Sequence, residues 1–454
     1  MISAVVAPRR TGHIAVTALL LAMLAGLLRF LHLGAWSLWA DEVYTLRDLH
    51  DWSAIKGYPI GYWLIGMAVR CFGESEFSAR LMPALAGTIT VPALYLIGRR
   101  LFNERAGVIA GILLALSSFH ICYSQYARYY TLLMLLGLLA MWFAWDGIDR
   151  DRKGRLALSA GLFLATALTH WSGLLLLPAL AAWLVWISRG DRPPGLRGSN
   201  LAVLLGPLAL AGLFGAPYVI GYLTNAQAAE GFSFARSGLT FVKIADRVDA
   251  AVLLCAAVAA WLLWRTGDVR GKWLTPFAAV PCLLAGLFVG FVEGGSRFAI
   301  VALPAFALLA GDLLDRMVAL SAGRGRQFAL ALILLVCAAS GLKDVLYFTA
   351  ERGQRPRWKE ALAGTRADGS IEIYTNAPAI VAWYTDETVH NLSDFPPAAL
   401  PDGHRVLVAV EHVANVAPDE ATMARVRNAC RLVEKYPLKV RFLDYSISIW
   451  EMKP

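Results

Sequence analysis

Residues 14–33 read IAVTALLLAMLAGLLRFLHL, an apolar run long enough to cross a bilayer as one helix. Similar runs recur through the first three quarters of the 454-residue chain, which is 58% hydrophobic and 17% charged, with a mean hydropathy of +0.55. Because a soluble protein carries about 25% charged residues, the sequence predicts an α-helical polytopic membrane protein. The run ends in Arg29 and His32 without a small-residue cleavage site, so we interpret it as a retained span and not as a signal peptide.

Basic connections between the apolar runs indicate the topology. Lys and Arg cluster in short stretches such as 99–105, 149–155 and 265–272, where the positive-inside rule expects the cytoplasmic side. The runs between them predict about eleven spans, an odd number that places the N-terminus inside and the C-terminus outside. The predicted spans are 13–33, 79–98, 106–123, 129–147, 156–170, 173–188, 200–222, 248–264, 273–292, 298–317 and 327–344.

Charge and cysteine usage exclude several classes of function. The formal net charge of +9 resides largely in those short connections, so it does not indicate a nucleic-acid partner. The six cysteines are scattered without paired spacing, which predicts neither a disulfide framework nor a thiolate metal site.

The character of the chain changes after residue 344, where charge rises and short alternating runs replace long apolar ones. We therefore predict two domains, a transmembrane domain over 1–344 and a small α/β domain over 345–454 on the outer face. Within the second domain, the patterns predict strands in 370–376, 405–410 and 438–452, and helices over 356–365 and 418–435.

The first outer loop, residues 34–78, is too long for a simple connector and is predicted to be functional. Its apolar stretch 57–73 is short and predicts a helix lying on the membrane. Asp41 and Glu42 stand near its start among tryptophan and tyrosine residues. Partial burial in such a setting raises a carboxyl pKa and makes a better general base. The alternative is a pair of acids that simply face water.

Two arginines directly precede apolar runs on the outer side. Arg128 opens the run after SQYA, beside Tyr129, and Arg297 stands in GGSRF before another run. Either arginine could extend harmlessly to the membrane surface. Alternatively, both could bind one lipid phosphate through charge-assisted hydrogen bonds, with the tyrosines forming a membrane belt or a wall for sugar stacking.

His170 stands in THWSG, at the turn between two short spans. A packing role and a site role are about equally favoured for it. No spacing of metal ligands is visible, so no metal site is predicted, although the sequence leaves open whether a divalent cation assists.

Together these motifs resemble one family. The acidic pair in the first outer loop, SQYAR-Y before a span, THW at a hairpin and SRF before a span are similar to the bacterial glycosyltransferases related to protein O-mannosyltransferases and to the lipid A aminoarabinose transferase. The resemblance covers roughly residues 14 to 344 and implies the multi-span C-type glycosyltransferase fold.

The resemblance also implies a reaction. Members transfer a sugar from a polyprenyl-phosphate carrier, with inversion, to a lipid, glycan or protein on the outer face of the bacterial inner membrane. It implies that Asp41 is the catalytic carboxylate, that Glu42 is its acidic neighbour, and that Arg128 and Arg297 contact the carrier phosphate. Many members have His-Pro-Pro after the acidic pair, whereas this chain has Tyr58 before proline. Tyr58, Tyr129 and His170 are the further candidate substrate-binding residues.

Two other classes of function fit the sequence less well. A lipid or glycolipid transporter would show inverted repeats and paired broken spans, which the sequence lacks, and its first outer loop is large and asymmetric. A membrane-anchored binding protein would leave the outer acids and arginines unexplained. The identities of the sugar and of the acceptor stay open.

Overall fold

The computed structural model describes residues 11–51, 59–190, 192–230, 233–289, 295–365, 370–396, 405–413, 416–440 and 443–453. Its α-helices are α1 Thr11–Phe30, α2 Ala40–His50, α3 Pro59–Phe72, α4 Glu76–Leu101, α5 Glu104–Ala115, α6 Ser118–Ser124, α7 Tyr130–Asp149, α8 Lys153–Thr169, α9 Leu176–Ser188, α10 Gly198–Glu230, α11 Phe234–Val248, α12 Ala250–Arg265, α13 Val269–Val289, α14 Leu303–Leu320, α15 Gly323–Phe348, α16 Trp358–Ala361, α17 Pro378–Tyr384 and α18 Glu420–Ala429. Short 3₁₀ helices cover Trp171–Leu175, Gly295–Ala302, Arg352–Gln354 and Leu392–Asp394. The strands are β1 Ile371–Thr375, β2 Thr388–Asn391, β3 Arg405–Glu411, β4 Cys430–Tyr436, β5 Lys439–Val440, β6 Leu443–Asp444 and β7 Ile447–Met452.

The protein is a polytopic membrane protein. Among the described residues, seven helices are long and apolar enough to cross a membrane, or nine if each of two bent pairs, α5 with α6 and α11 with α12, forms one span. The two remaining predicted spans, 156–170 and 200–222, fall in α8 and α10. Helix α8 has 17 residues and begins with basic ones, so it is shorter than the about twenty residues that a span needs. Helix α10 has 33 residues and contains the whole of the predicted span 200–222.

The chain divides into two compact units. The first, called the helical unit, contains residues 1–31, 56–64 and 82–341. Among the candidate spans the most enclosed is Ser296–Leu320, in which 94% of an apolar 18-residue stretch is buried. Glycines let its helices approach closely: a Cβ on Gly311 of α14 would lie 2.7 Å from the backbone oxygen of Ala106 in α5. Small residues at such crossings are typical of helices that pack inside a membrane.

The second, called the α/β unit, contains residues 32–55, 65–81 and 342–454. Its sheet has the strand order β2-β1-β3-β7-β4, with β2, β1 and β3 parallel and β7 and β4 antiparallel to their neighbours. Strands β5 and β6 form a separate pair. One face of the sheet packs over α18 in a core that contains Tyr374, Phe395, Val408, Met423 and Val426.

The helix predicted over 418–435 is confirmed in its first part and wrong in its second. Helix α18 ends at Ala429, and the following residues form β4, the edge strand that pairs with β7. Pairing with a neighbouring strand overrides local helical spacing, which is a weak determinant of structure. The predicted helix over 356–365 is likewise shorter, since α16 covers Trp358–Ala361.

Candidate active site

His170 is the centre of a cluster in the helical unit. It lies between α8 and the 3₁₀ helix Trp171–Leu175 and caps both of them. Its backbone is extended, with φ −168° and ψ 144°. The residue is 4% exposed, and its ring stacks on Tyr129 at 4.7 Å and on Phe298 at 5.6 Å between ring centroids. Its Nδ1 accepts a hydrogen bond from the backbone N–H of Ser172 at 3.2 Å and lies 2.7 Å from the Ser172 hydroxyl. Because Nδ1 accepts this bond, a neutral His170 ring in this arrangement carries its proton on Nε2.

Two guanidinium groups flank this histidine. The Cζ of Arg128 lies 5.1 Å from the ring centroid of Tyr129. The Cζ of Arg297 lies 5.6 Å from the ring of Phe298 and 5.9 Å from that of Tyr130. The charges of both arginines act on the His170 ring. The structure thus brings together four residues that the sequence singled out separately: Arg128, Tyr129, His170 and Arg297.

The two arginines come together because each stands at or near the start of a helix. Arg128 stands in the turn between α6 and α7, directly before Tyr129, which caps α7. Arg297 lies in the 3₁₀ helix that leads into the buried α14. Two half-buried guanidinium groups within aromatic walls can bind phosphate oxygens through charge-assisted hydrogen bonds, which strengthen as water is excluded.

Sequence reasoning missed a third arginine in this region. Arg247, in the last turn of α11, donates a hydrogen bond to the hydroxyl of Tyr123 at 3.0 Å. Tyr123 in turn contacts Tyr130 edge to face at 5.1 Å. The amphipathic spacing of α11 was the available signal, because it places Arg247 on the face that packs against the bundle.

The acidic pair opens α2 in the α/β unit. Trp39 is the residue before the helix, so Asp41 and Glu42 occupy its first turn, where the helix dipole favours negative charge. Glu42 Oε2 accepts the backbone N–H of Trp39 at 2.9 Å, as the glutamate of a capping box does. Asp41 is half-exposed, and its carbonyl accepts a hydrogen bond from the Thr45 hydroxyl at 2.9 Å.

Glu42 differs from Asp41 in being fully buried between two arginines. Arg80 donates to both of its carboxylate oxygens, from Nε at 2.9 Å and from Nη2 at 3.1 Å, and Arg355 Nε lies 3.3 Å from Oε2. Burial alone would raise the pKa of Glu42, but the charges of Arg355 and Arg80, with the hydrogen bonds from Arg80 and Trp39, outweigh it and lower the pKa. Glu42 is therefore an ionised structural anchor at neutral pH, and Asp41 is the acid of the pair that a reactant can reach.

The remaining predicted residues are placed as follows. Tyr58 lies outside the described residues, so its predicted role has no structural counterpart here. Asp41 and Glu42 belong to the α/β unit, whereas the four residues of the His170 cluster belong to the helical unit. Within the described ranges, no group of three or more His, Cys, Asp or Glu side chains is arranged to hold a metal ion.

Known proteins resemble this chain in sequence and in fold. The family model described as dolichyl-phosphate-mannose-protein mannosyltransferase matches residues 56–214. An undecaprenyl phosphate-alpha-4-amino-4-deoxy-L-arabinose arabinosyl transferase of Pseudomonas fluorescens is 37% identical over 138 residues, which are 28% of this chain and 23% of that protein. The match therefore spans about a quarter of the length of this curated relative.

The structural likeness covers nearly the whole chain. ArnT from Cupriavidus metallidurans in the apo state superposes with a TM-score of 0.59 at 14% identity, covering 97% of this chain and 98% of that one. The chain has the C-type glycosyltransferase fold. The same enzyme bound to undecaprenyl phosphate superposes with a TM-score of 0.55 at 13% identity, again over 97% of this chain and 98% of that one. The structural likeness confirms the predicted C-type glycosyltransferase fold, and the matches to the family model and to the curated relative confirm the family resemblance predicted from the sequence motifs.

Proposed function

We propose that this protein is a glycosyltransferase of the bacterial inner membrane that takes a sugar from a polyprenyl-phosphate-linked donor. The sugar passes, with inversion, to a lipid, glycan or protein on the outer face. The observation that carries the proposal is the approach of two guanidinium groups to one buried histidine, Arg128 and Arg297 beside His170, on a C-type glycosyltransferase fold. A relative by fold binds undecaprenyl phosphate, which supports the same class of donor.

The chemistry assigns one role to the arginines and another to Asp41. An acceptor hydroxyl attacks the anomeric carbon while the bond from that carbon to the phosphate oxygen breaks, so the phosphate leaves with the bonding electrons. Arg128 and Arg297 stabilise the charge that develops on the phosphate. The carboxylate of Asp41 accepts the proton of the acceptor hydroxyl. Glu42 does not exchange protons and instead fixes the first turn of α2, in which Asp41 stands.

The arginine role can be tested by donor binding. The protein is purified into lipid nanodiscs, and undecaprenyl phosphate serves as the probe. Arg128→Gln and Arg297→Gln should each weaken binding, because each removes a charge-assisted hydrogen bond worth about 1.5–3 kcal/mol, or about 10- to 100-fold in affinity.

Arg265→Gln is the matched control. Arg265 also stacks over an aromatic ring, because its Cζ lies 4.9 Å from the ring centroid of Trp261. It is the last residue of α12, on the side predicted to be cytoplasmic. This change should leave binding unaltered. Undiminished binding in both test variants would mean that the two arginines only extend to the membrane surface, and the phosphate role would be abandoned.

A further inference from the structure

The chain that follows the last long helix returns to the acidic loop within the α/β unit. We call residues 352–359 the return segment. Its Gly353 has φ +65°, a conformation that favours glycine, and a Cβ there would stand 2.1 Å from the ring of Trp36. The backbone of the return segment is thus pressed against the tryptophan that precedes the acidic pair by five positions.

Polar contacts from the return segment reinforce this packing. Arg355 reaches the carboxylate of Glu42 at 3.3 Å. The backbone N–H of Lys359 donates to the Ser37 hydroxyl at 3.0 Å, and its ammonium donates to the carbonyl of Gly34 at 3.3 Å. The same ammonium lies 2.9 Å from the carboxylate of Glu76.

Tyr384, at the end of α17, makes a second connection. Its hydroxyl accepts the backbone N–H of Leu38 at 2.7 Å and donates to Glu76 at 3.1 Å. Leu38 directly precedes Trp39, the residue that caps the start of α2. The tyrosine therefore holds the peptide that enters the helix carrying Asp41.

These contacts satisfy backbone groups that have no regular secondary structure around them. The carbonyls of Leu33, Trp36 and Ser37 all accept hydrogen bonds from Arg80, at 2.8–3.0 Å. Buried backbone groups outside helices and sheets need such partners. Arg80 supplies them from α4, and the return segment and Tyr384 supply them from the C-terminal part of the chain.

We propose that Arg355 and Tyr384 are positioning residues for Asp41, and that the C-terminal part of the chain holds the acidic loop in its working conformation. Neither residue exchanges a proton with substrate. The inference rests on the role proposed above for Asp41. It gives the C-terminal domain a function: turnover depends on it because it positions the helix that carries Asp41.

The test uses Arg355→Met and Tyr384→Phe in the full-length protein in nanodiscs. Arg355→Met leaves the pair between Arg80 and Glu42 intact, so the fold should survive, and Arg355→Lys is the conservative variant. Arg405→Met is the matched control, since Arg405 forms an exposed ion pair with Glu451 in the same unit. Hydrogen–deuterium exchange of residues 40–50 reports the order of α2, and sugar transfer from a polyprenyl-phosphate donor reports turnover.

In both test variants, we expect exchange over residues 40–50 to become about tenfold faster or more. We expect kcat to fall about 10- to 100-fold while KM for the donor stays constant, because a misplaced base slows the chemical step without weakening donor binding. Arg355→Lys should recover part of both losses, and Arg405→Met should change neither.

Two outcomes overturn the inference. The first is unchanged exchange over residues 40–50 in both variants, and the second is faster exchange with full turnover. Failure of the proposed function has a different signature. If Asp41→Asn retains full turnover, Asp41 is not the base, and the exchange data still decide whether the return segment and Tyr384 hold α2.

Discussion

Removal of the charge of Glu42 should destabilise the α/β unit more than any comparable change at its surface. Glu42→Gln keeps the shape of the side chain and one acceptor oxygen, so it isolates the loss of charge. Its partners Arg80 and Arg355 have side chains only 1% and 2% exposed. In the variant, both guanidinium groups stay buried without their counter-charge.

The expected magnitude follows from that burial. Removing one partner of a buried ion pair costs about 3–5 kcal/mol, because the remaining charge stays desolvated. Glu451→Gln is the matched control, since Glu451 also pairs with two arginines, Arg405 and Arg431, whose side chains are 62% and 69% exposed. Exposed pairs contribute about 0.2–1 kcal/mol each.

Native-state hydrogen exchange in nanodiscs measures this difference at the amides of α2. A loss of about 3–5 kcal/mol corresponds to exchange that is faster by more than about 100-fold, because 1.36 kcal/mol is a factor of ten. Glu451→Gln loses two such exposed pairs and should accelerate exchange of its own strand, β7, by no more than about 30-fold. If Glu42→Gln had no greater effect than Glu451→Gln, the triad of Arg80, Glu42 and Arg355 would not be the anchor of the acidic loop.

Three further predictions concern the base, a buried acid and the topology. Asp41→Asn should insert normally and bind undecaprenyl phosphate, yet lose about 10²- to 10⁴-fold in single-turnover sugar transfer, because it removes a general base; normal turnover would exclude Asp41 from the mechanism. Burial raises the pKa of Glu411 from its ordinary value of 4.5 to about 7, although a hydrogen bond from Trp358 opposes the shift. Ionising this carboxyl therefore costs more in the folded state than in the unfolded state, and the fold loses stability as pH rises from about 4.5 through about 7. Glu411→Gln should therefore stabilise β3 against exchange by up to about 3 kcal/mol at about pH 8 and by little at about pH 5, and an equal effect at both values would contradict this. Reporter fusions after Arg100 and after Thr349 should lie on opposite sides of the membrane, and a shared side would overturn the predicted topology.

The sequence predicted the spans because each long apolar run must satisfy its backbone polar groups within itself, and a helix does so locally. The same local logic indicated Arg128 and Arg297, since a charge at the edge of an apolar run is visible without any knowledge of its neighbours. It also indicated Asp41. The sequence did not indicate that both arginines lie beside His170, because residues 128, 170 and 297 meet only through the packing of separate helices.

Contacts between residues far apart in the chain decided the partners of Glu42 and the conformation of residues 430–436. No partner of Glu42 could be identified from the sequence, since Arg80 and Arg355 lie far from it along the chain and arginines are frequent in this protein. Residues 430–436 follow a helical pattern as far as local spacing can show, yet they form β4 because β7 offers unpaired backbone groups beside them. Sequence alone therefore indicated which segments are apolar enough to cross the membrane and which charges flank them. The tertiary structure decided which charges pair with one another, because a buried carboxylate is desolvated and needs cations that only the fold brings within reach.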